Sequence, residues 1–352
     1  MSADPHDLAR SERVARALAS LRGLAVGDAL GSQFFVPAHH ALPRRNELPP
    51  GVWQWTDDTE MACSVVAVLA AHGTIDQDAL ATSFAEHHDF DRGYGPAVNR
   101  MLRLIRQEGG DWRELAAALF DGEGSWGNGA AMRVAPLGAW YADDPERAAT
   151  EAESSAYVTH QHREAVAGAR AVAAASSLLA GRAVREPDSR PASASASAPS
   201  PVPVPALAGT DGSGEDGGPG TGTPEAKVTG AELLDAVREL VPRSAVQAGV
   251  RRARDMLDYA DVGTVAAVLG CGRRTSAHDT VPFTLWAAAR YVDDYQGAVW
   301  AAARAGGDVD TTCAIVGGIV ASGGPSVAPP EVWTHRTEDL PAWLDDALTG
   351  VG

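Results

Sequence analysis

The sequence predicts an all-α protein built as one compact multi-helix domain. Three observations lead there: Ala, Leu, Val, Arg and Glu recur at three- and four-residue spacing through most of the chain, alternating β-branched stretches are scarce, and the polar, glycine-rich segments fall between the periodic ones. In chain order the spacing predicts helices over 9–26, over 60–72 (the apolar run after an acid- and threonine-rich start), and over 77–88 and 96–107. Further helices follow over 145–157, 162–182, 230–240, 244–257, 283–291 and 294–304, and a last one over 311–321 behind GGDVDTT.

One segment does not share the pattern. From about Pro187 to Lys227 the chain is Pro, Ala, Ser and Gly with almost no large apolar side chain. It cannot bury enough surface to offset its chain entropy, so it reads as a disordered insertion inside one domain of 9–350. A boundary between two domains fits less well, because the polar motifs lie on both sides of it.

The 352 residues carry a net charge of −17. That argues against a nucleic-acid or anionic-membrane surface, both of which need a basic face, and leaves room for a nucleotide-like ligand held by backbone groups or a metal. Cys63, Cys271 and Cys313 are far apart and in no CxxC spacing, a reduced, cytoplasmic pattern with neither a disulfide framework nor a zinc cage. The N-terminus is charged and helix-like, with no apolar signal core, and no apolar run approaches the roughly 20 residues of a membrane span. The helical surface is compatible with a monomer.

Four stretches stand out from the alanine-rich background: GLAVGDALGSQFF (23–35), WQWTDDTEMA (53–62), FDGEGSWGNGAAMRVAPLGAWY (120–141) and GGDVDTT (306–312). The second and fourth place acid pairs and threonines at a helix start. One reading is capping, with Thr56 or Asp57 as N-cap and Glu60 closing a capping box. The other is a hard-cation site, since carboxylates and hydroxyls are the donors that magnesium, calcium or manganese prefer. One cap needs one such residue. Two clusters this rich in oxygen, converging from distant parts of the chain, are better explained by two divalent cations sharing a carboxylate.

In the third stretch, Gly124, Ser125, Gly127 and Gly129 let the backbone approach a ligand, and their N–H groups could cradle a diphosphate at the start of the following helix. Phe120 and Trp126 flank the loop, either as aromatic platforms or as a core residue and a loop plug. Asn128 is expected to order the loop by side-chain-to-backbone bonds. Asp28, set between small residues, is either a packing and turn residue or one that orients metal ligands. Arg92 reads equally as a surface ion-pair partner and a ligand contact. The adjacent pairs His39, His40 and His87, His88 read as surface residues, and His162 as solvent-facing.

GDALG, TDDT, RGYG, GSWGNGAAMRVAPLG, VTH and GGDVDTT, in that order along nearly the whole chain outside the insertion, resemble the ADP-ribosylglycohydrolases, the ADP-ribosyl-acceptor hydrolases. The resemblance implies an all-α fold with a binuclear Mg2+ or Mn2+ centre. It implies metal ligands at Thr56, Asp57, Asp58, Asp308, Asp310 and Thr311, with Asp310 as the bridge. It implies ADP-ribose or an ADP-ribosylated substrate as partner, with adenine at Phe120 and Trp126 and the diphosphate at Gly124, Ser125 and Gly127. His160, expected early in a helix, matches a family histidine near the distal ribose and phosphates, and Gly95 of RGYG precedes a cleft-lining helix. The sequence departs from the pattern at Phe35, seven positions after Asp28, where many relatives carry a movable glutamate that ligates metal and serves as acid or base. Phe35 would then shape the acceptor side of the cleft, with Asp57, Asp58 or Asp308 left to position or deprotonate water. The resemblance therefore implies a hydrolase cleaving the bond between C1″ of ADP-ribose and an acceptor, or, with the glutamate gone, an ADP-ribose binder of weak or no turnover.

Overall fold

The computed structural model describes residues 10–185 and 228–349; the insertion assigned to 187–227 lies outside the described residues. Before it run α1 (Arg10–Ser32), α2 (Leu42–Arg45), α3 (Asp57–His72), α4 (Gln77–Glu86), α5 (Pro96–Glu108), α6 (Trp112–Ala117), α7 (Ala135–Trp140), α8 (Pro145–Tyr157) and α9 (Arg163–Arg185). After it run α10 (Gly230–Leu240), α11 (Ala245–Asp255), α12 (Val262–Leu269), α13 (Ala277–Arg290), α14 (Tyr295–Ala305), α15 (Val309–Ala321), α16 (Glu331–Thr334) and α17 (Ala342–Thr349). Among the described residues there is no strand, only isolated bridges pairing Trp53 with Thr337 and Gly127 with Ser276. The all-α expectation is met.

The centre of the fold is a glycine seam between α1 and α15. Gly23, Gly27 and Gly31 stand four residues apart, so they share one face of α1. A Cβ on Gly27 would sit 2.2 Å from the carbonyl oxygen of Cys313; Cβ atoms on Gly23 and Gly31 would each sit 2.6 Å from a backbone oxygen, that of Gly317 or Val309. Gly317 reciprocates, its Cβ position lying 2.4 Å from the carbonyl oxygen of Gly23. Without side chains between them the two backbones nearly touch. Ser20 Oγ then donates to the Gly318 carbonyl (2.8 Å) and Tyr295 OH to that of Gly23 (2.6 Å), crosslinking the seam. Around this pair α3 and α7 pack on α1, α13 and α14 on α15, and α9 on α7 and α8.

The seam explains why α1 runs to Ser32 rather than ending at 26. Each glycine weakens a helix by about 1 kcal/mol relative to alanine, yet close packing against α15 holds the last two turns. It also puts Asp28, wholly buried between Gly27 and Gly31, beside the N-terminus of α15.

Candidate functional site

Three chain segments bring their oxygens to one place. Asp28 comes from α1, Thr56 to Asp58 from the start of α3, and Asp308 to Thr311 from the start of α15. Asp28 is an anchor. Its Oδ2 accepts from Thr56 N (2.9 Å), Thr59 N (3.1 Å) and Thr59 Oγ1 (2.6 Å), and its Oδ1 accepts from Thr56 Oγ1 (2.8 Å). The first turn of α3 is thereby fixed against α1. Thr56 is also the N-cap of α3, its Oγ1 3.4 Å from Asp58 N. Glu60 closes no capping box; its carboxylate instead accepts from Tyr94 OH (2.6 Å) and Asp89 N (3.1 Å).

The two acidic helix starts meet at Asp58, whose Oδ2 lies 3.1 Å from Thr56 Oγ1 and 3.3 Å from Thr311 Oγ1. Asp308 occupies the N-cap position of α15 but makes no side-chain cap bond. Its Oδ2 accepts instead from Asn128 Nδ2 at 2.7 Å, and the same amide reaches Thr280 Oγ1 at 3.1 Å. Asn128 thus ties the glycine loop to the second acidic cluster through side chains, not to the loop's own backbone as expected. Asp310 Oδ1 accepts from Thr311 N (2.7 Å). Capping therefore accounts for Thr56 but not for the number of carboxylates gathered here.

Most of these groups, with Asp28 and Thr56 set behind them, line a cleft of about 460 Å³. Of the residues expected at the site, Asp57, Asp58, Asp308, Asp310, Thr311, Gly95, Phe120, Ser125, Trp126, Gly127 and His160 line it. Thr56, Gly124 and Phe35 are not in its lining; Phe35 ends a short 3-10 turn after α1 and is 51% exposed. Phe120 (47% exposed) and Trp126 (40%) are neither core nor plug. Their rings face each other at 4.7 Å, tilted by 40°, at the cleft mouth. Phe120 holds a left-handed backbone (φ 52), a strained conformation for a non-glycine residue that positions the ring.

The glycine loop leads into a 3-10 turn (Asn128–Ala130) and only later the short α7, so its N–H groups belong to a loop and not to a helix start. The neighbour that demands glycine there is His160: Cβ atoms on Gly127 and Gly129 would sit 3.1 and 2.9 Å from its ring. His160 is buried in the connection between α8 and α9, not in a helix. His162 is half-buried with its ring edge-on to Trp126. His87 stacks on Trp343 and His88 meets Tyr94 edge-on, so these are packing residues rather than surface ones. Arg92 pairs with Glu338 (2.8 Å) and lies over Trp55, which assigns it to the fold.

A segment that the sequence reading passed over closes the site. Residues 270–276 run between α12 and α13 and bring Arg274 and Thr275 into the cleft. Cys271 O accepts from Asp308 N (3.1 Å), Thr275 O from Asn128 N (3.0 Å), and Trp126 O from Ala277 N (3.0 Å). Gly272, with φ +81, lies where a Cβ would come within 2.5 Å of the Asp308 side chain. The signal available in the sequence was GCG just ahead of a polar RRTS run.

Electrostatically the cleft is an unbalanced acid cluster. Burial raises the pKa of Asp28 to about 6 against the pull of its four donors. Burial, then the charges of Asp28 and other carboxylates, raises Asp57 to about 8. Burial followed by carboxylate repulsion pushes Asp58 and Asp310 well above the usual range, and burial raises Asp308 despite Asn128. Asp58 Oδ1 is buried with no hydrogen-bond partner, which costs free energy unless something positive meets it. Among the described residues no three acidic, histidine or cysteine side chains stand in a geometry that would by itself hold a metal ion. The donor set, all hard oxygens with an orphaned carboxylate oxygen and mutual repulsion to relieve, fits divalent cations of the magnesium or manganese type in kind.

Comparison with known proteins agrees with this architecture. Residues 9–350 match the model of the family described as ADP-ribosylglycohydrolase. ADP-ribosylhydrolase ARH3 of Gallus gallus is 36% identical over 193 residues, covering 49% of this chain and 52% of that protein. The ADP-ribosyl-[dinitrogen reductase] glycohydrolase of Rhodospirillum rubrum is 33% identical over 162 residues, covering 42% and 52%. The chain thus spans about half the length of these curated relatives. A solved ADP-ribosylglycohydrolase-related protein complex superposes with a TM-score of 0.58 at 24% identity, covering 96% of this chain and 97% of that one, a likeness of fold. No helix among the described residues is long and apolar enough to cross a membrane.

Proposed function

The chain belongs to the ADP-ribosylglycohydrolase family, and from that premise we propose that it is a divalent-cation-dependent hydrolase cleaving the glycosidic bond between C1″ of ADP-ribose and an acceptor. The observation that carries the reading is the convergence of Asp28, Asp57, Asp58, Asp308 and Asp310 from three helix segments at a cleft whose other walls are the glycine loop and the Phe120–Trp126 pair.

Thr56, Asp57, Asp58, Asp308, Asp310 and Thr311 are the residues that would hold two cations, Mg2+ or Mn2+. When bound, the cations supply Lewis-acid stabilisation and attachment points for the ribose hydroxyls. The chain's own residues do the rest. Asp28 holds the first turn of α3 in place, and Asn128 holds Asp308. Phe120 and Trp126 offer faces for adenine. The loop of Ser125 and Gly127 presents backbone N–H groups to a diphosphate. Asp57, Asp58 or Asp308 positions or deprotonates the water that attacks C1″ as oxocarbenium character develops.

Phe35 is the observation that favours a second reading, a binder without turnover. A phenyl ring cannot carry a proton, and it does not line the cleft. The experiment is release of free ADP-ribose from arginine-linked and serine-linked ADP-ribosyl peptides, with magnesium and with a chelator. Cation-dependent release from either supports the hydrolase and names the linkage. Saturable ADP-ribose binding with no product supports the binder, and AMP or ribose phosphate as product overturns both.

A further inference from the structure

Arg133 is wholly buried, and among the described residues it makes no ion pair. Its guanidinium donates through Nη2 to Ser155 O (2.7 Å), through Nη1 to Thr159 Oγ1 (2.9 Å) and through Nε to Ser155 Oγ (3.4 Å), and it lies 4.6 Å from the centre of the Phe84 ring. A buried cation without an anion is costly, and this one is satisfied by neutral acceptors only, those oxygens and the Met61 Sδ 3.7 Å from Nη1. One of those oxygens leads onward. Thr159 Oγ1 sits 2.7 Å from His160 Nδ1, and His160 lines the cleft.

The donors and acceptors along this chain can be counted. Arginine only donates, so Thr159 Oγ1 accepts from Arg133. The hydroxyl has one proton, and its side chain makes no other hydrogen bond among the described residues. Giving that proton to Nδ1 satisfies the Arg133 donor, the Thr159 hydroxyl and Nδ1 together. The opposite tautomer would make Thr159 accept from both neighbours and leave a buried hydroxyl proton without an acceptor, the more expensive arrangement. With Nδ1 accepting, Nε2 carries the ring proton. Nε2 lies beside Gly127 and Gly129 and has no protein acceptor among the described residues. Burial, and then the charge of Arg133, push the imidazole pKa down to about 3, so the ring is neutral at ordinary pH.

We propose that Thr159, held by Arg133, is a positioning residue that locks His160 as the Nε2–H tautomer, so that the cleft presents a neutral hydrogen-bond donor to a ligand oxygen. This differs from a cationic histidine acting on phosphate by charge: direction is supplied and net charge is not. It also gives Gly127 and Gly129 their reason, since any side chain there would push the ring out of line. That the oxygen belongs to ADP-ribose rests on the proposed function; the tautomer does not.

The test uses the full chain with its histidines labelled with 15N, and long-range 1H–15N correlation of the imidazoles, with the His160 signals assigned by His160→Gln. The wild type and Thr159→Ser should show the Nε2–H pattern from pH 6 to 8, and Thr159→Val should lose it to a mixture or to Nδ1–H. ADP-ribose affinity in magnesium should fall about three- to tenfold in Thr159→Val and hold within about twofold in Thr159→Ser, the scale of one hydrogen bond. An Nδ1–H or doubly protonated ring in the wild type overturns the proposal, as does Thr159→Val with an unchanged tautomer and affinity. Should Thr159→Val fail to fold, the wild-type spectrum decides alone. If the wild type binds no ADP-ribose, the proposed function fails while the spectrum still decides the tautomer.

Discussion

Replacing Gly27 with alanine probes the feature on which the site's assembly depends. The new Cβ would lie 2.2 Å from the carbonyl oxygen and 2.8 Å from the carbonyl carbon of Cys313, about 1.2 Å inside the 3.4 Å at which ordinary contact begins. The opposing atoms are backbone in the middle of α15, so no side chain can rotate away. The helices must separate or bend, at the upper end of the overpacking range, about 3 kcal/mol. For a chain of this size that corresponds to a melting temperature lower by roughly 4–5 °C. The separation also moves Asp28 away from Asp310, so cation-dependent activity should fall by more than the loss of folded protein explains. Gly263→Ala is the control: it lies exposed in the first turn of α12, and its Cβ would come no closer than 3.6 Å to Asp261. It should be neutral or stabilising by about 0.4–1 kcal/mol. Thermal and urea unfolding measure both. A Gly27→Ala protein as stable as wild type would refute the seam as the element that sets the geometry.

Two other predictions concern the acid cluster. Asn128→Ala removes the donor to Asp308 Oδ2, a half-buried carboxylate oxygen at the cleft, so stability should drop by about 1 kcal/mol and turnover should drop with it; equal turnover by steady-state assay would remove Asn128 from the site. Stability in chelator should fall as pH rises. The folded-state pKa values of Asp28 and Asp57 are raised to about 6 and about 8 from the ordinary aspartate value of 3.8, so between those limits the native state binds more protons than the unfolded one. The melting temperature in chelator should therefore decline from about pH 4 towards pH 8, with excess magnesium flattening the slope. A melting temperature that climbs through that window in chelator would contradict a buried, unbalanced cluster.

The fold was largely legible because its long helices carry unbroken apolar periodicity. The misses have local causes. α6 and α12 are too short for periodicity to show, and their Asp111 and Asp261 caps sit in otherwise unremarkable loops. α13 begins at Ala277, six residues before the expected start, because Pro282 reads as a helix breaker in sequence. In the structure the proline ring nests on Gly249 of α11, where a Cβ would lie 2.3 Å from it, so tertiary packing accommodates the break. At the site, the acid and threonine clusters announced themselves by excess: more oxygens than caps require. Asn128 reaching Asp308 and Arg133 reaching Thr159 could not be read, because each depends on residues distant in sequence meeting through side chains, and the 270–276 loop joins the site through backbone bonds that its GCG and RRTS hint at but do not place.

The most direct test of a cation-bearing acid cleft is titration of Mn2+ into the metal-free protein, followed by electron paramagnetic resonance, for wild type and Asp310→Asn. The account predicts two bound ions with a spin-coupled signature in the wild type, and loss of that signature in a variant that remains folded. Wild-type protein that leaves all Mn2+ free, or Asp310→Asn with an unaltered spectrum, would contradict it.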